Sequence, residues 1–159
     1  MCSDQKPKRK HLKRLEKVHA KLKAEVYFIT VCTHNRKKIL ARDDIYDVLV
    51  NALRQKAKET GWRVGRYVIM PDHVHFFCTL TSPNSILSEF IGQWKGFCTQ
   101  KFREVGIKGP FWQKEFFDHL LRSDESYKNK WEYVRHNPVR HRLCKSPDEW
   151  PYQGEIQLL

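Results

Sequence analysis

Two adjoining stretches of β-forming residues, divided by a turn, constrain the fold of this chain more than any other feature. Residues 62–70 and 73–80 are rich in β-branched and aromatic side chains, and Pro71 and Asp72 stand between them. A proline has no N–H to donate to a strand ladder, so Pro71 suits a turn between two strands. The pattern predicts an antiparallel β-hairpin.

Further strands and helices flank this hairpin. The predicted order is βαββαβ followed by a last helix, which is the ferredoxin-like plan. This is an α+β fold whose antiparallel sheet carries helices on one face and leaves the other face open to bind a substrate. The predicted elements are a strand over 25–33, a helix capped by Asp43 or Asp44 and ended by Gly61, the hairpin, a helix with an apolar stripe from Leu87 to Phe102, a strand over 116–121, and a helix from a cap at Asp124 to about Asn137.

The chain is strongly basic, with 30 Lys and Arg against 18 Asp and Glu and a net charge of +12. This balance favours a polyanionic partner such as nucleic acid, with lipid headgroups as the rival. Much of the excess lies in residues 1–24, so we expect a basic N-terminal arm, either a docked helix or a solvated tail, before a catalytic domain over 25–159. The candidate DNA contacts are Lys8, Arg9, Lys10, Lys13 and Arg14 in the arm, with Lys95 and Lys101 in the second helix.

Composition also limits the compartment and the chemistry. No apolar run is long enough to span a bilayer, and the basic N-terminus lacks the apolar core of a signal peptide, so we expect a cytoplasmic protein without a membrane partner. The five cysteines are odd in number, scattered, and never spaced as CxxC. Neither a disulfide framework nor a cysteine zinc site is indicated, and reduced, mostly buried thiols are expected.

His73 and His75 are the first candidate site residues. One residue separates them within a predicted strand, so both side chains project from one face and can bind one metal ion. The alternative is a pair of hydrogen-bonded core histidines. A nucleotide hydrolase of the HIT type would need a third alternating histidine, and Phe77 occupies that position.

The last predicted helix supplies the second group of candidates. Tyr127, Trp131 and Val134 step by four and three residues, which predicts a buried stripe. Tyr133 lies off that stripe, and Asn137 follows it by four residues, so a phenol and a carboxamide are expected side by side on a face that the core does not claim. The alternative is an exposed tyrosine with Asn137 ending the helix before Pro138.

These residues resemble a known family. Met-Pro-Asp-His-Val-His over 70–75 and Trp-Glu-Tyr-Val-Arg-His-Asn-Pro-Val-Arg over 131–140 are similar to motifs of the HUH single-tyrosine transposases, in particular the REP-associated tyrosine transposases. The resemblance spans roughly residues 25–152. It implies a ferredoxin-like fold in which His73 and His75 bind a divalent metal, Tyr133 is the nucleophile and Asn137 is a third ligand.

The same resemblance implies a reaction and its partners. The expected metal is Mg²⁺ or Mn²⁺, and the expected substrate is single-stranded or hairpin DNA, cleaved through a 5′-phosphotyrosine that allows strands to be rejoined. A nucleoid-associated monomer or homodimer is expected. Competing hypotheses are Tyr127 as the nucleophile, a non-catalytic binder of DNA or RNA hairpins derived from a transposase, and a replication or conjugation nickase, which usually carries further domains.

One departure from the family pattern concerns the end of the last helix. Relatives usually have a glycine shortly after the Asn-Pro-Val stretch, whereas His141, Arg142 and Leu143 follow here. The glycine that favours a left-handed helix termination is therefore missing from the place where relatives have it.

Overall fold

A computed structural model describes residues 25–159, and its centre is a five-stranded antiparallel sheet. The strand order is β4-β1-β3-β2-β5, so the predicted βαββαβ order and the ferredoxin-like plan are confirmed. The sheet gains a short edge strand, β5, that the sequence did not predict. The elements are β1 Val26–Cys32, α1 Asp43–Thr60, β2 Trp62–Ile69, β3 His73–Leu80, α2 Leu87–Glu104, β4 Phe117–Leu121, α3 Asp124–Arg135, α4 Asn137–Arg140 and β5 Gln153–Glu155, with 3-10 turns at His34–Arg36 and Pro147–Glu149.

The larger core lies between the sheet and the pair α1 and α2. Alternate residues of the strands, such as Ile29 of β1 and Phe76 of β3, point to this face and are fully buried. Trp94 of α2 packs edge-on against Phe76, and its indole N–H donates to the carbonyl of Leu49 in α1. The helices are therefore held to the sheet by close apolar packing along the predicted stripes.

The ends of α1 follow the prediction in part. Gly61 ends the helix in the left-handed conformation (φ 78°), as expected, and its N–H donates to the carbonyl of Ala57. The expected cap at Asp43 or Asp44 is wrong, because Arg42 occupies the N-cap position and makes no side-chain capping bond. Both carboxylates lie in the first turn instead, where they interact favourably with the helix dipole.

The predicted hairpin is present and is braced by the loop that follows β1. The N–H of Met70 donates to the carbonyl of His73 at 2.8 Å, which closes the turn around Pro71 and Asp72. The carbonyl of Asp72 accepts two bonds from Thr33, one from the backbone N–H at 2.9 Å and one from the hydroxyl at 3.1 Å. These bonds fix the position of the residue that precedes the histidine pair.

Helix α3 covers part of the opposite face of the sheet. Tyr127 and Trp131 contact Phe77 of β3 edge-on, and Val134 is buried beside them, so the predicted stripe does face the core. The expected cap at Asp124 is wrong by one residue, since the hydroxyl of Ser123 accepts the N–H of Ser126. The helix also ends at Arg135, two residues before the predicted end.

A left-handed termination follows α4 although no glycine is present. Arg142 has φ 58°, and the N–H groups of Arg142 and Leu143 donate to the carbonyls of Val139 and Pro138. The lack of glycine therefore does not prevent a left-handed termination at this point. The hydrogen bonds of the turn hold an arginine in a conformation that glycine adopts more easily.

The basic arm predicted over 1–24, with Lys8, Arg9, Lys10, Lys13 and Arg14, lies outside the described residues. Within residues 25–159 the four cysteines are free thiols, and all but Cys144 are buried. No helix in this part of the chain combines the length and the apolar character needed to cross a membrane.

Candidate functional site

The two histidines of β3 lie on the sheet face opposite α1 and α2. His73 and His75 are buried, and their ring centroids are 4.6 Å apart. Both alternate along the strand with Val74 and Phe76, which point into the larger core. The pair is therefore excluded from that core and faces the side of the sheet that carries α3 and α4.

Asp72 orients His73 through a short hydrogen bond. The Nδ1–H of His73 donates to the Asp72 carboxylate at 2.7 Å, and Arg36 donates to the other carboxylate oxygen at 2.9 and 3.0 Å. Burial by itself would raise the pKa of Asp72, but the bonds from His73 and Arg36 hold it at about 2. The carboxylate is ionised and can only accept, so the lone pair of His73 is on Nε2.

Arg36 reaches Asp72 from a strained backbone position. Its φ of 54° lies in the left-handed region, as does that of Asn35 before it. A non-glycine residue in this region costs on the order of 1 kcal/mol or more and persists only where the surroundings hold it. The pairing with Asp72 is one such constraint.

His75 is oriented by its neighbours on β1. Its Nδ1 lies 2.8 Å from the hydroxyl of Thr30, and its ring stacks on Phe28 with centroids 5.1 Å apart. The hydroxyl can accept from Nδ1–H, which leaves Nε2 of His75 free to bind a ligand. Burial lowers the pKa of both histidines, that of His75 the more strongly, so both imidazoles are neutral at pH 7.

Asn137 connects the tyrosine-bearing segment to the histidines. Its side-chain amide lies 3.3 Å from Nε2 of His73, and its side-chain oxygen accepts a bond from Arg140 at 3.2 Å. Asn137 is 1% exposed, so the expectation that it lies on a face free of the core is wrong. The chain breaks its helical run at His136, and α4 begins at Asn137 with Pro138 next, whose missing N–H suits a helix start.

The two candidate tyrosines of α3 occupy different surroundings. Tyr133 is 58% exposed, and the guanidinium of Arg140 lies 3.9 Å from its ring centroid. Tyr127 packs against Phe77 with centroids 4.9 Å apart, and burial raises the pKa of its phenol. Tyr133 therefore has the accessible hydroxyl, and Arg140 links its ring to Asn137.

The side chains at this site can bind a divalent metal with three ligands only if the carboxamide of Asn137 is one of them. Among residues 25–159, no three His, Cys, Asp or Glu side chains converge on one point. The available ligands are Nε2 of His73, Nε2 of His75 and the carboxamide of Asn137. The amide nitrogen of Asn137 lies 3.3 Å from Nε2 of His73, so its carboxamide is close enough for the oxygen to join the two histidines after the side chain rotates. Nitrogen and oxygen donors of this kind accept several divalent ions.

The structure does not bring Lys95 and Lys101 to this site. Both belong to α2, on the other face of the sheet, and the ammonium of Lys95 donates to the carbonyls of Gln113 and Lys114. Lys101 pairs with Glu104 in its own helix. Their role in DNA binding remains a prediction. A DNA strand at the histidines would have to extend around the sheet to reach them.

Basic groups that the sequence did not single out lie closer to the histidines. The ammonium of Lys130 is 5.0 Å from the ring centroid of Phe28, which stacks on His75, while Arg140 and Arg36 contact Asn137 and Asp72. The adjacency of Asp72 to His73, and the three-residue step from Asn137 to Arg140, were signals available in the sequence.

Similar proteins share both the motifs and the fold. Residues 21–137 match the family described as IS200-like transposase. A REP-associated tyrosine transposase of Escherichia coli (strain K12) is 27% identical over 131 residues, which cover 82% of this chain and 76% of that protein. A putative REP-associated tyrosine transposase of Haemophilus influenzae is 28% identical over 146 residues, covering 83% of this chain and 80% of the relative.

Solved structures are similar to this chain in fold as well as in sequence. A REP-associated tyrosine transposase bound to a REP hairpin superposes with a TM-score of 0.66 at 26% identity, over 83% of this chain and 77% of that one. A putative transposase of Deinococcus radiodurans, at 21% identity and a TM-score of 0.56, shares the fold. Since the family match extends over most of the described sheet and both site segments, the chain belongs to the IS200-like transposase family.

Proposed function

We propose that this protein is a metal-dependent single-stranded DNA endonuclease and strand transferase that cleaves near DNA hairpins through a tyrosine. The observation that carries the proposal is the contact of Asn137 with His73. It brings the segment that bears an exposed phenol, Tyr133, onto the one pair of buried histidines that the sheet turns away from its main core.

The proposed reaction is a transesterification at a DNA phosphodiester. The hydroxyl oxygen of Tyr133 forms a bond to phosphorus, and the bond between phosphorus and the 3′-oxygen breaks. The phenol proton leaves and the 3′-oxygen takes one up, directly or through water, which yields a 5′-phosphotyrosine and a free 3′-OH. Because one ester replaces another, a 3′-OH can reverse the step or join a different strand, and no nucleotide cofactor is needed.

The residues of the chain favour this reaction by holding the imidazoles and the phenol in place. Asp72 and Thr30 orient the two imidazoles so that Nε2 of His73 and Nε2 of His75 point to the same face. These atoms and the carboxamide oxygen of Asn137 would hold Mg²⁺ or Mn²⁺. When bound, such an ion would supply positive charge to a non-bridging oxygen of the scissile phosphate. Tyr133 meets the phosphate from the exposed side of α3.

Hairpin DNA is the proposed partner on two grounds. One relative is known in complex with a REP hairpin, and this chain carries a net charge of +12. Basic and aromatic side chains lie together near the histidines, as Lys130 and Phe28 do, and such pairs suit the backbone and bases of an unpaired strand. Whether a monomer or a homodimer acts on the DNA remains a prediction.

The alternative function is a hairpin-binding protein without cleavage activity. The basic surface is consistent with either function, whereas the contacts that join His73, Asn137 and Arg140 to Tyr133 are an arrangement that cleavage needs and simple binding does not. The two functions differ in one product, which is a covalent bond between the protein and DNA.

Covalent capture separates the two functions. The protein is incubated with a labelled oligonucleotide that contains a hairpin and a single-stranded flank, with Mn²⁺, and resolved under denaturing conditions. We expect an adduct with the wild-type chain and with Tyr127→Phe, and none with Tyr133→Phe, although the latter still binds DNA. An adduct that persists in Tyr133→Phe overturns the nucleophile assignment. Tight binding without any adduct across a library of hairpins favours the non-catalytic alternative.

A further inference from the structure

Arg140 is the basic group most closely engaged with the candidate catalytic residues. Its guanidinium lies 3.9 Å from the ring centroid of Tyr133 and donates to the side-chain oxygen of Asn137 at 3.2 Å. One side chain thus touches both the proposed nucleophile and the proposed third ligand. The residue itself is exposed, so DNA can reach it.

Arg140 differs from Arg36 and Arg135, which are both paired with carboxylates. Arg36 pairs with Asp72, and Arg135 pairs with both Glu132 and Asp148. Within the described part of the chain, no carboxylate lies within ion-pair distance of Arg140. A guanidinium carries five N–H donors arranged to grip a phosphate in two places, and the bond to Asn137 uses one of them.

We infer that Arg140 is a further catalytic residue, which binds the scissile phosphate beside Tyr133 and in doing so releases the side-chain oxygen of Asn137. The inference rests on the proposed function and adds a specific group to it. An arginine at this place stabilises negative charge that develops on the phosphate oxygens during attack by the phenol.

The release of Asn137 follows from the geometry of its carboxamide. The oxygen of Asn137 is the atom that would bind a metal, and Arg140 occupies it while the amide faces His73. With its amide nitrogen toward His73, the carboxamide turns its oxygen toward Arg140, so the oxygen can join the histidines only if the side chain rotates and the bond from Arg140 breaks. A phosphate that draws Arg140 away therefore makes completion of the ligand set depend on the presence of substrate.

A purely structural role for Arg140 makes different predictions. It ends α4, where a basic side chain interacts favourably with the helix dipole. If that were its whole function, its replacement would lower thermal stability and leave the chemistry of the folded protein unchanged. Rates measured at saturating DNA, with folding checked separately, distinguish the two roles.

The test compares Arg140→Ala, Arg140→Lys and the control Arg142→Gln, which removes the same charge two residues away. Three quantities are measured for each full-length variant: the rate of adduct formation at saturating hairpin DNA with Mn²⁺, the Kd for DNA, and the Kd for Mn²⁺ without DNA. For Arg140→Ala we expect a rate about 100-fold lower. Its affinity for DNA should fall no more than in the control, and its affinity for Mn²⁺ should be tighter than that of the wild type. Arg140→Lys should recover part of the rate.

Two results overturn the inference. One is a rate for Arg140→Ala within threefold of the wild-type rate, and the other is a loss that Arg142→Gln reproduces in full. If the wild-type chain itself forms no adduct, the proposed function fails. The Mn²⁺ titration then still tests whether Arg140 competes with the metal for Asn137. Weaker Mn²⁺ binding by Arg140→Ala than by the wild type would contradict the competition for Asn137, whereas tighter binding would support it.

Discussion

The two faces of the sheet differ in the side chains that they bury. Toward α1 and α2 the strands present apolar side chains such as Phe76, which are fully buried among other apolar groups. Toward α3 and α4 the same strands present a smaller apolar cluster around Phe77 and, beside it, Thr30, His73 and His75, which are buried and hydrogen-bonded. Neighbours along β3 thus belong to different environments, because side chains alternate across a strand.

The difference shows how the fold separates stability from chemistry. A closely packed apolar layer is rigid and resists changes of volume. The polar face uses that rigidity, since its imidazoles are oriented by hydrogen bonds that their Nδ1–H groups donate to Thr30 and Asp72, and these bonds need a backbone that does not move. We therefore expect substitutions on the apolar face to change the free energy of unfolding most, and substitutions on the polar face to change ligand binding and cleavage.

The largest effect on stability should come from Phe76→Ala. Phe76 packs edge-on against Phe90 and Trp94 and is fully buried, so its truncation leaves a cavity between two helices and the sheet. We expect a loss of about 3–5 kcal/mol in the free energy of unfolding, measured by chemical denaturation. Phe77→Ala is the matched control on the other face, where the buried apolar cluster is smaller, so its loss should be smaller. A larger loss of stability for Phe77→Ala than for Phe76→Ala would contradict the difference between the two faces.

An intermediate effect is expected for Asp72→Asn on the polar face. The substitution removes the negative charge that orients His73 and pairs with Arg36. We expect the Kd for Mn²⁺, measured by calorimetry, to rise about 10- to 100-fold. Asp148→Asn provides the control, because it removes an exposed carboxylate that pairs with Arg135 and makes no hydrogen bond to either histidine. Equal Mn²⁺ affinities for the wild type and Asp72→Asn would show that the carboxylate does not support the site.

The smallest effect should follow from Arg142→Gly. The left-handed turn after α4 disfavours a side chain at this position (φ 58°), and glycine relieves that strain but gains freedom in the unfolded chain. We expect a net gain of up to about 1 kcal/mol in stability, seen as a higher Tm. Lys128→Gly, on an exposed turn of α3, should have the opposite sign and cost about 1 kcal/mol. Destabilisation by both changes would contradict the strain at Arg142.

The apolar face could be predicted almost completely from the sequence. Strand alternation and three- to four-residue spacing locate the residues of β1, β2 and β3 and the stripes of α1 and α2, because burial of apolar surface dominates there. Strand β5 was missed, since Gln153 and Gly154 are not β-formers. It forms because the edge of β2 is available to pair with it. Gly154 fits because a Cβ there would lie 2.6 Å from the hydroxyl of Tyr67.

The polar face could be predicted only as a set of residue types. The spacing of His73 and His75 and the position of Tyr133 followed from strand and helix periods. The burial of Asn137 did not, because α3 ends at Arg135 and Asn137 begins a separate short helix, whereas the prediction assumed one continuous helix. The link from Arg36 through Asp72 to His73 joins segments that are distant in the chain, and only the closed fold brings them together.

The most direct test of the central claim is to locate the residue that becomes linked to DNA. After adduct formation with Mn²⁺ and digestion of the DNA by nuclease, trypsin should release residues 131–135, which contain Tyr133 as their one tyrosine, and residues 123–128, which contain Tyr127. Mass spectrometry should find the added nucleotide phosphate on residues 131–135. The same mass on residues 123–128, with 131–135 unmodified, would contradict the assignment of Tyr133 as the nucleophile on the polar face.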